Sequence, residues 1–162
     1  LNTFFQNLLT IKDPVMKSLS FTLPATPAIT QTSTTSTAVS LHQLVDQLMD
    51  SFIPLAASQK SFIINDVDEA FQLQANEQVL AFIVGNLLNN AIGCSQSICI
   101  RIEAVKQPEG ILIRVRNNAN HFYSTVAHGF SEVVAAARSM GGNINIYNQR
   151  HEGTVITLSM AA

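Results

Sequence analysis

Apolar and polar positions follow two periods along this chain, and the places where one period gives way to the other outline a domain. Behind Ser40, the stretch LHQLVDQLMDSFIPLA carries Leu41, Val45, Leu48 and Phe52 at helical spacing, which predicts a helix over about 41–58 with one apolar side. Ser40 and Gln43 stand where a capping box places its hydroxyl and its amide. SFIINDV and FQLQ predict two short strands, and Asn76 predicts an N-cap for a second helix through EQVLAFIVGNLLNNAI. SICIRIEAV and GILIRVRN then alternate with period two on either side of KQPE, the pattern of a hairpin. A third helix is predicted over 129–140, ended by Gly141-Gly142. NINIYNQ and TVITLSM predict a closing strand pair around a turn at His151-Glu152-Gly153. Helices and strands in this order predict an α+β fold, a two-layer sandwich with helices on one face of a sheet.

The second predicted helix carries two stripes. Leu80, Val84, Leu87, Leu88 and Ala91 form one that should pack on the sheet, while Phe82, Asn86 and Asn90 follow at steps of four and form another. A carboxamide buried without a partner costs a few kcal/mol. The two asparagines are therefore either exposed or locally bonded, or they line a pocket.

Ahead of the domain the pattern loosens. Residues 1–20 have apolar positions at helical spacing broken at Asp13-Pro14, which predicts a short helical segment. Residues 21–38 contain Pro24 and Pro27, no charge, and seven Ser or Thr within 30–37, so they predict a Ser/Thr/Pro-rich linker. The domain proper is placed at 39–162.

With 162 residues, 47% of them hydrophobic, the chain can build one core and not comfortably two. Only 12% of residues are charged and the formal net charge is -2, which argues against nucleic acid as a partner. No apolar run approaches the roughly 18–20 residues of a membrane span, so this segment is predicted to make no direct membrane contact. Cys94 and Cys99 are too few and too close for a disulfide framework, and the reading is of two small buried apolar residues in a reducing, cytoplasmic setting. The sequence starts at Leu1 rather than Met, which suggests a segment of a longer polypeptide whose upstream part could include a membrane sensor.

NLLNNAI, a hairpin ending VRNNAN, GFSEVVAAARSMGGNINI and EGTVITLSM, in this order and spacing, resemble the ATP-binding catalytic domain of sensor histidine kinases, within the family shared with gyrase, MutL and heat-shock chaperones. The resemblance covers about residues 38–160, with SLHQLVDQL similar to the family's opening helix. It implies a Bergerat-type two-layer sandwich: a mixed, mostly antiparallel sheet with three main helices on one face. It also implies that Asn90 aligns with the residue coordinating Mg²⁺ between the phosphates, and Asn86 with its partner one turn earlier. An amide oxygen suits Mg²⁺, which prefers oxygen ligands. Asn117 corresponds to the family's adenine-binding Asp, and Thr154 to its adenine-side Thr. Ala119 stands at a glycine of the same motif, and Gly129 closes what remains of the Gly-x-Gly before the third helix.

Several positions depart from that pattern. Phe82 stands where the family has an acid or amide, and an aromatic ring neither takes a proton nor binds Mg²⁺. Asn117 replaces a carboxylate, removing the charge-assisted part of the bond to adenine. His121 puts an imidazole where no side chain is expected. The lid is cut to HFYSTVAH, without Lys or Arg; Ala127 replaces a glycine, and Gly93 replaces a common Lys. A triphosphate with about four negative charges would meet one helix N-terminus and no cation. His121 and His128 read as ordinary loop histidines, and His42 lacks the setting of the family's phosphoacceptor.

The sequence thus predicts a histidine-kinase-type domain of a two-component signalling protein, degenerate in its nucleotide site and serving as a regulatory or structural module. No catalytic residue is assigned and no cofactor is expected. Asn86, Asn90, Asn117, Ala119, Gly129 and Thr154 are vestigial or weak nucleotide positions. The alternative is a working domain that binds Mg-ATP, with Asn90 on the metal, and phosphorylates a His on a separate helix. A third reading is a pocket for another small ligand, walled by Phe82 and His121. The resemblance implies other sensor-kinase domains or a response regulator as partners, and a homodimer through upstream helices.

Overall fold

The computed structural model of this chain describes residues 36–93, 96–118, 130–149 and 153–161. The predicted helical segment at 1–20 and all but the end of the predicted linker lie outside these residues.

Strand β1 (Thr37–Ser40) leads directly into helix α1 (Leu41–Ser58), and strands β2 (Phe62–Asn65) and β3 (Gln72–Ala75) follow. Helix α2 (Glu77–Gly93) precedes the hairpin of β4 (Cys99–Gln107) and β5 (Gly110–Asn117). Helix α3 (Phe130–Ser139) and the pair β6 (Gly142–Gln149) and β7 (Gly153–Met160) complete the domain. The main sheet has the order β2-β4-β5-β7-β6, with β2 parallel to β4 and every other pair antiparallel. The predicted mixed, mostly antiparallel sheet with three helices is present.

Two details correct the sequence reading. The predicted linker ends too late: Thr37 and Ala38 already belong to β1, which pairs antiparallel with β3 in a separate two-stranded sheet, Val39 opposite Leu73. Alternation over four residues is too short a signal to separate from Ser/Thr-rich coil. The capping box at Ser40 does not form, although Ser40 is the N-cap residue, because its side chain makes no cap hydrogen bond. Ser40 is held as a strand residue opposite Gln72, and the first helical N–H, that of Leu41, is taken by the Phe71 carbonyl at 3.1 Å. By contrast Asn76 caps α2 as predicted: its Oδ1 accepts from the Val79 N–H at 3.0 Å.

Period-two alternation decides which sheet face the helices cover. Ile100 and Ile102 of β4, Ile113 and Val115 of β5, and Ile156 and Leu158 of β7 form one buried layer. Helix α2 meets it with Leu80, Ile83, Val84, Leu87, Leu88, Ala91 and Ile92. Gly85 faces α1, where a Cβ would meet Leu48 Cδ2 at 3.6 Å, an ordinary van der Waals distance. α1 contributes Leu41, Leu44, Val45, Leu48, Phe52 and Ala56, and α3 adds Phe130, Val133 and Ala137 beside β6. Burial of a dozen large aliphatic side chains to below 2% exposure, at about 25 cal/mol per Å², is the main stabilising contribution. None of them needs a ligand.

The opposite sheet face carries charge. Glu103 is shared by Arg114 at 3.3 Å and Arg116 at 3.1 Å, and Asp66 pairs with Arg101. Cys99 is a half-buried free thiol at the start of β4, which corrects the reading of it as a buried apolar residue: its alternate-residue position puts it on this outer face. His42 lies outside any cap. Its Nδ1 donates to the Val67 carbonyl at 2.6 Å and its Nε2 lies 3.2 Å from Asp46. Asn65 completes the knot, donating to the His42 carbonyl and to Asp46 while accepting from the Val67 N–H. These bonds fix the β2–β3 connection to the first turns of α1.

Candidate functional site

The polar stripe of α2 exists as the spacing predicts. Phe82, Asn86 and Asn90 are all half-buried, whereas their neighbours Ile83, Val84, Leu87 and Leu88 are fully inside. Asn86 donates its Nδ2 to the Phe82 carbonyl at 2.7 Å, and Asn90 donates its Nδ2 to the Asn86 carbonyl at 2.8 Å. The two asparagines and Phe82 are thus linked in one chain up the helix, and the local-bonding reading of the amides holds. Each of these bonds uses one of the amide's two N–H donors.

The second part of the site lies at the end of the sheet. Asn117, the last residue of β5, is directly opposite Thr154, the second residue of β7, on the face covered by the helices. The two are 3% and 1% exposed, polar residues at the end of an aliphatic layer. The Thr154 Oγ1 is buried and has no hydrogen-bond partner among the described residues. A buried hydroxyl left without a partner costs about 1–3 kcal/mol.

Gly153 brings the two strands together here. Its φ is +79°, and a Cβ on it would fall 2.0 Å from the Asn117 carbonyl oxygen. Sequence reading placed this residue in a turn and missed its closeness to the site; the signal was the Gly directly before Thr154. On the far side of Asn117, the Asn118 Oδ1 accepts from the Cys99 N–H at 3.0 Å and pins the end of β5 to β4.

Of the six predicted site residues, the structure places Asn86 and Asn90 on one stripe of α2 and Asn117 and Thr154 on one cross-strand pair. α2 packs over β4 and β5 through its buried apolar stripe, with Asn86 and Asn90 on the half-buried one beside it. Ala119 and Gly129, with His121, Ala127 and His128, lie outside the described residues. No group of three or more His, Cys, Asp or Glu capable of holding a metal occurs among the described residues.

The donor set fits the two ends of a nucleotide unequally. A base edge needs hydrogen-bonding groups in an otherwise apolar wall, and Asn117 with Thr154 supplies them. A triphosphate with Mg²⁺ needs positive charge and hard oxygen ligands. Glu77 is the sole charged residue of α2, and residues 118–130 include neither Lys nor Arg. Neither segment thus supplies a cation for a triphosphate, and on the Phe82 stripe of α2 the side-chain oxygens are those of Asn86 and Asn90.

Comparison with solved structures finds this fold in the catalytic domains of histidine kinases. The Acinetobacter baumannii histidine kinase AdeS matches with a TM-score of 0.68 at 13% identity, over 77% of this chain and 66% of that one. The cytoplasmic segment of histidine kinase QseC matches at 0.63 with 19% identity, over 77% of each chain. The isolated catalytic domain of histidine kinase ThkA matches at 0.65 with 16% identity, over 78% of this chain and 96% of that one. The chain thus has the span of an isolated catalytic domain, just under two thirds of AdeS, and 41% of ThkA in its complex with the response regulator TrrA. No protein-family model and no curated protein matches the chain. At these identities the likeness shows the fold. No helix of the described residues is long and apolar enough to cross a membrane.

Proposed function

We propose that this chain is the catalytic-type domain of a two-component sensor histidine kinase whose site has lost its hold on the nucleotide phosphates, and that it serves as a regulatory or structural module. The fold supports the first half. The observation that carries the second is the polar stripe of α2: Phe82 occupies the step before Asn86, both amide nitrogens are tied to helix carbonyls, and no cation stands on the helix or in residues 118–130. Function belongs to the site rather than the fold, and here the core stands without the site. In this reading the module works on the cytoplasmic side, as the matched segment of QseC does. Its partners are then other domains of the same kinase, including a second copy joined through upstream helices, or a response regulator.

One observation favours a second reading, a working Mg-ATP-binding domain that phosphorylates a His on a separate helix. The Thr154 hydroxyl is buried and has no partner among the described residues at the position that would meet the base, and Asn86 and Asn90 would then supply oxygens toward the metal, Asn90 first. Thermal unfolding with about 1 mM Mg-ATP separates the two. A site with a dissociation constant weaker than about 100 μM gains less than about 1.4 kcal/mol from that ligand, a shift of no more than about 5 °C. A larger shift, together with phosphate transfer to a supplied phosphoacceptor-helix protein, supports the working kinase.

A further inference from the structure

One edge of the main sheet carries no protection against another strand. We infer that β6 pairs edge to edge with β6 of a second copy of this chain, antiparallel about a two-fold axis at Asn145, so that the five-stranded sheets of two molecules join. None of this depends on the nucleotide site.

An outer strand presents a row of backbone N–H and C=O groups to any approaching strand, and proteins blunt it by shortness, charge, proline or a bulge. Among the described residues β6 is the outer strand of the main sheet, and it has none of the four. It runs eight residues, Gly142–Gln149, in unbroken register with β7. From Gly141 to Gln149 the sequence has no charge and no proline, and the charges nearest in sequence are Arg138 and Arg150. Asn143, Asn145, Ile146 and Tyr147 are all exposed, Ile146 to 41%. The opposite edge is defended. β2 has four residues, with Lys60 shortly before it and Asp66, paired to Arg101, directly after it.

Charge and register identify the occupant. A strand without charge has nothing to steer a charged peptide and nothing to repel a copy of itself. In a two-fold antiparallel pair residue i faces j and j faces i. Ile144 and Ile146 lie on the face of Leu158 and Ile156, the helix-covered one. Of the registers that keep like faces together, the one with Asn145 opposite its own copy sets each isoleucine against an isoleucine, and Asn143 against Tyr147. The aliphatic layer then continues across the axis. Eight residues of strand span about 27 Å, and one such edge buries less than the roughly 1,200 Å² of a lasting interface, so the pair is weak and reversible.

Sedimentation of the full chain between about 10 μM and about 1 mM is expected to show the mass rising from monomer toward dimer and no further, with a dissociation constant on the order of 100 μM. Asn145→Lys and Asn145→Asp each set like charges face to face on the axis and are each expected to weaken association at least about tenfold. Mixing the two variants is expected to restore the dimer, because opposite charges then face each other. Phe62→Lys, at the other edge, where the wild-type ring is 58% exposed, is expected to leave association unchanged. Should a charged variant fail to fold, hydrogen exchange of the wild-type chain decides: amides of β6 must gain protection as concentration rises, and those of β2 must not. A monomer at the highest concentration overturns the inference and leaves the edge to a strand of another protein. A dimer that survives both charged variants, or that Phe62→Lys disrupts, also overturns it. So does growth past the dimer, and a mixture of the charged variants that stays monomeric overturns the two-fold register.

Discussion

Asn117 and Thr154 are the last residue pair of the β5–β7 ladder at its loop end, and together they place a carboxamide, and a hydroxyl without a partner among the described residues, at the end of an aliphatic layer. Nothing in the core calls for polarity there: the next pair inward on the same face is Val115 with Ile156. Removing the orphan should therefore help the empty domain. Thr154→Val is predicted to raise the stability of the ligand-free chain by about 1 kcal/mol, since a methyl needs no partner. Chemical denaturation checks this, and a lowered midpoint would show that the hydroxyl is satisfied in solution.

Gly153 holds that pair in register. Gly153→Ala would drive a Cβ into the Asn117 carbonyl and force a non-glycine residue to hold a φ of +79°. A loss of about 1–3 kcal/mol is predicted, with the largest spectral changes at the ends of β5 and β7. Unchanged stability would mean the strand end relaxes freely.

The two helix starts should respond differently to loss of their cap residues. Asn76→Ala removes the bond to the Val79 N–H and is predicted to cost about 1 kcal/mol. Ser40→Ala is predicted to cost less than about 0.5 kcal/mol, because the Ser40 side chain makes no cap bond and the Leu41 N–H is held by Phe71. Equal losses in denaturant titrations of the two variants would contradict this assignment.

Truncation locates the true domain boundary. A chain starting at residue 36 keeps β1 and is predicted to melt within about 2 °C of the full chain. One starting at residue 41 loses the ladder to β3 and the burial of Val39, a side chain whose burial is worth about 1.5–3 kcal/mol. Its melting temperature should fall by at least about 5 °C.

The legible part of the sequence was whatever repeats. Leu41, Val45, Leu48 and Phe52 announced α1, and all four are buried; the alternation in CIRIEAV and ILIRVRN announced the β4–β5 hairpin. The Phe82, Asn86 and Asn90 stripe followed from spacing alone. What repeats too briefly was lost. β1 has only four residues, and it defeated both the linker boundary and the capping box, since Ser40 serves a strand pairing that no local pattern shows. His42 was read through its neighbours in sequence, whereas its partners include Val67, 25 residues away. The pairing of Asn117 with Thr154 and the close approach of Gly153 depend on which strands adjoin, so composition could name these residues only through a family likeness.

Phe82 and Asn90 are the residues to vary in a calorimetric titration with Mg-ATP, which tests directly whether this site still holds a triphosphate. A dissociation constant weaker than about 100 μM, roughly -5.5 kcal/mol, is predicted for the wild-type chain. Asn90→Ala should leave it unchanged, and Phe82→Glu should destabilise the fold without creating phosphate transfer. Binding tighter than that value and abolished by Asn90→Ala would contradict the degenerate reading and assign the chain to working kinases.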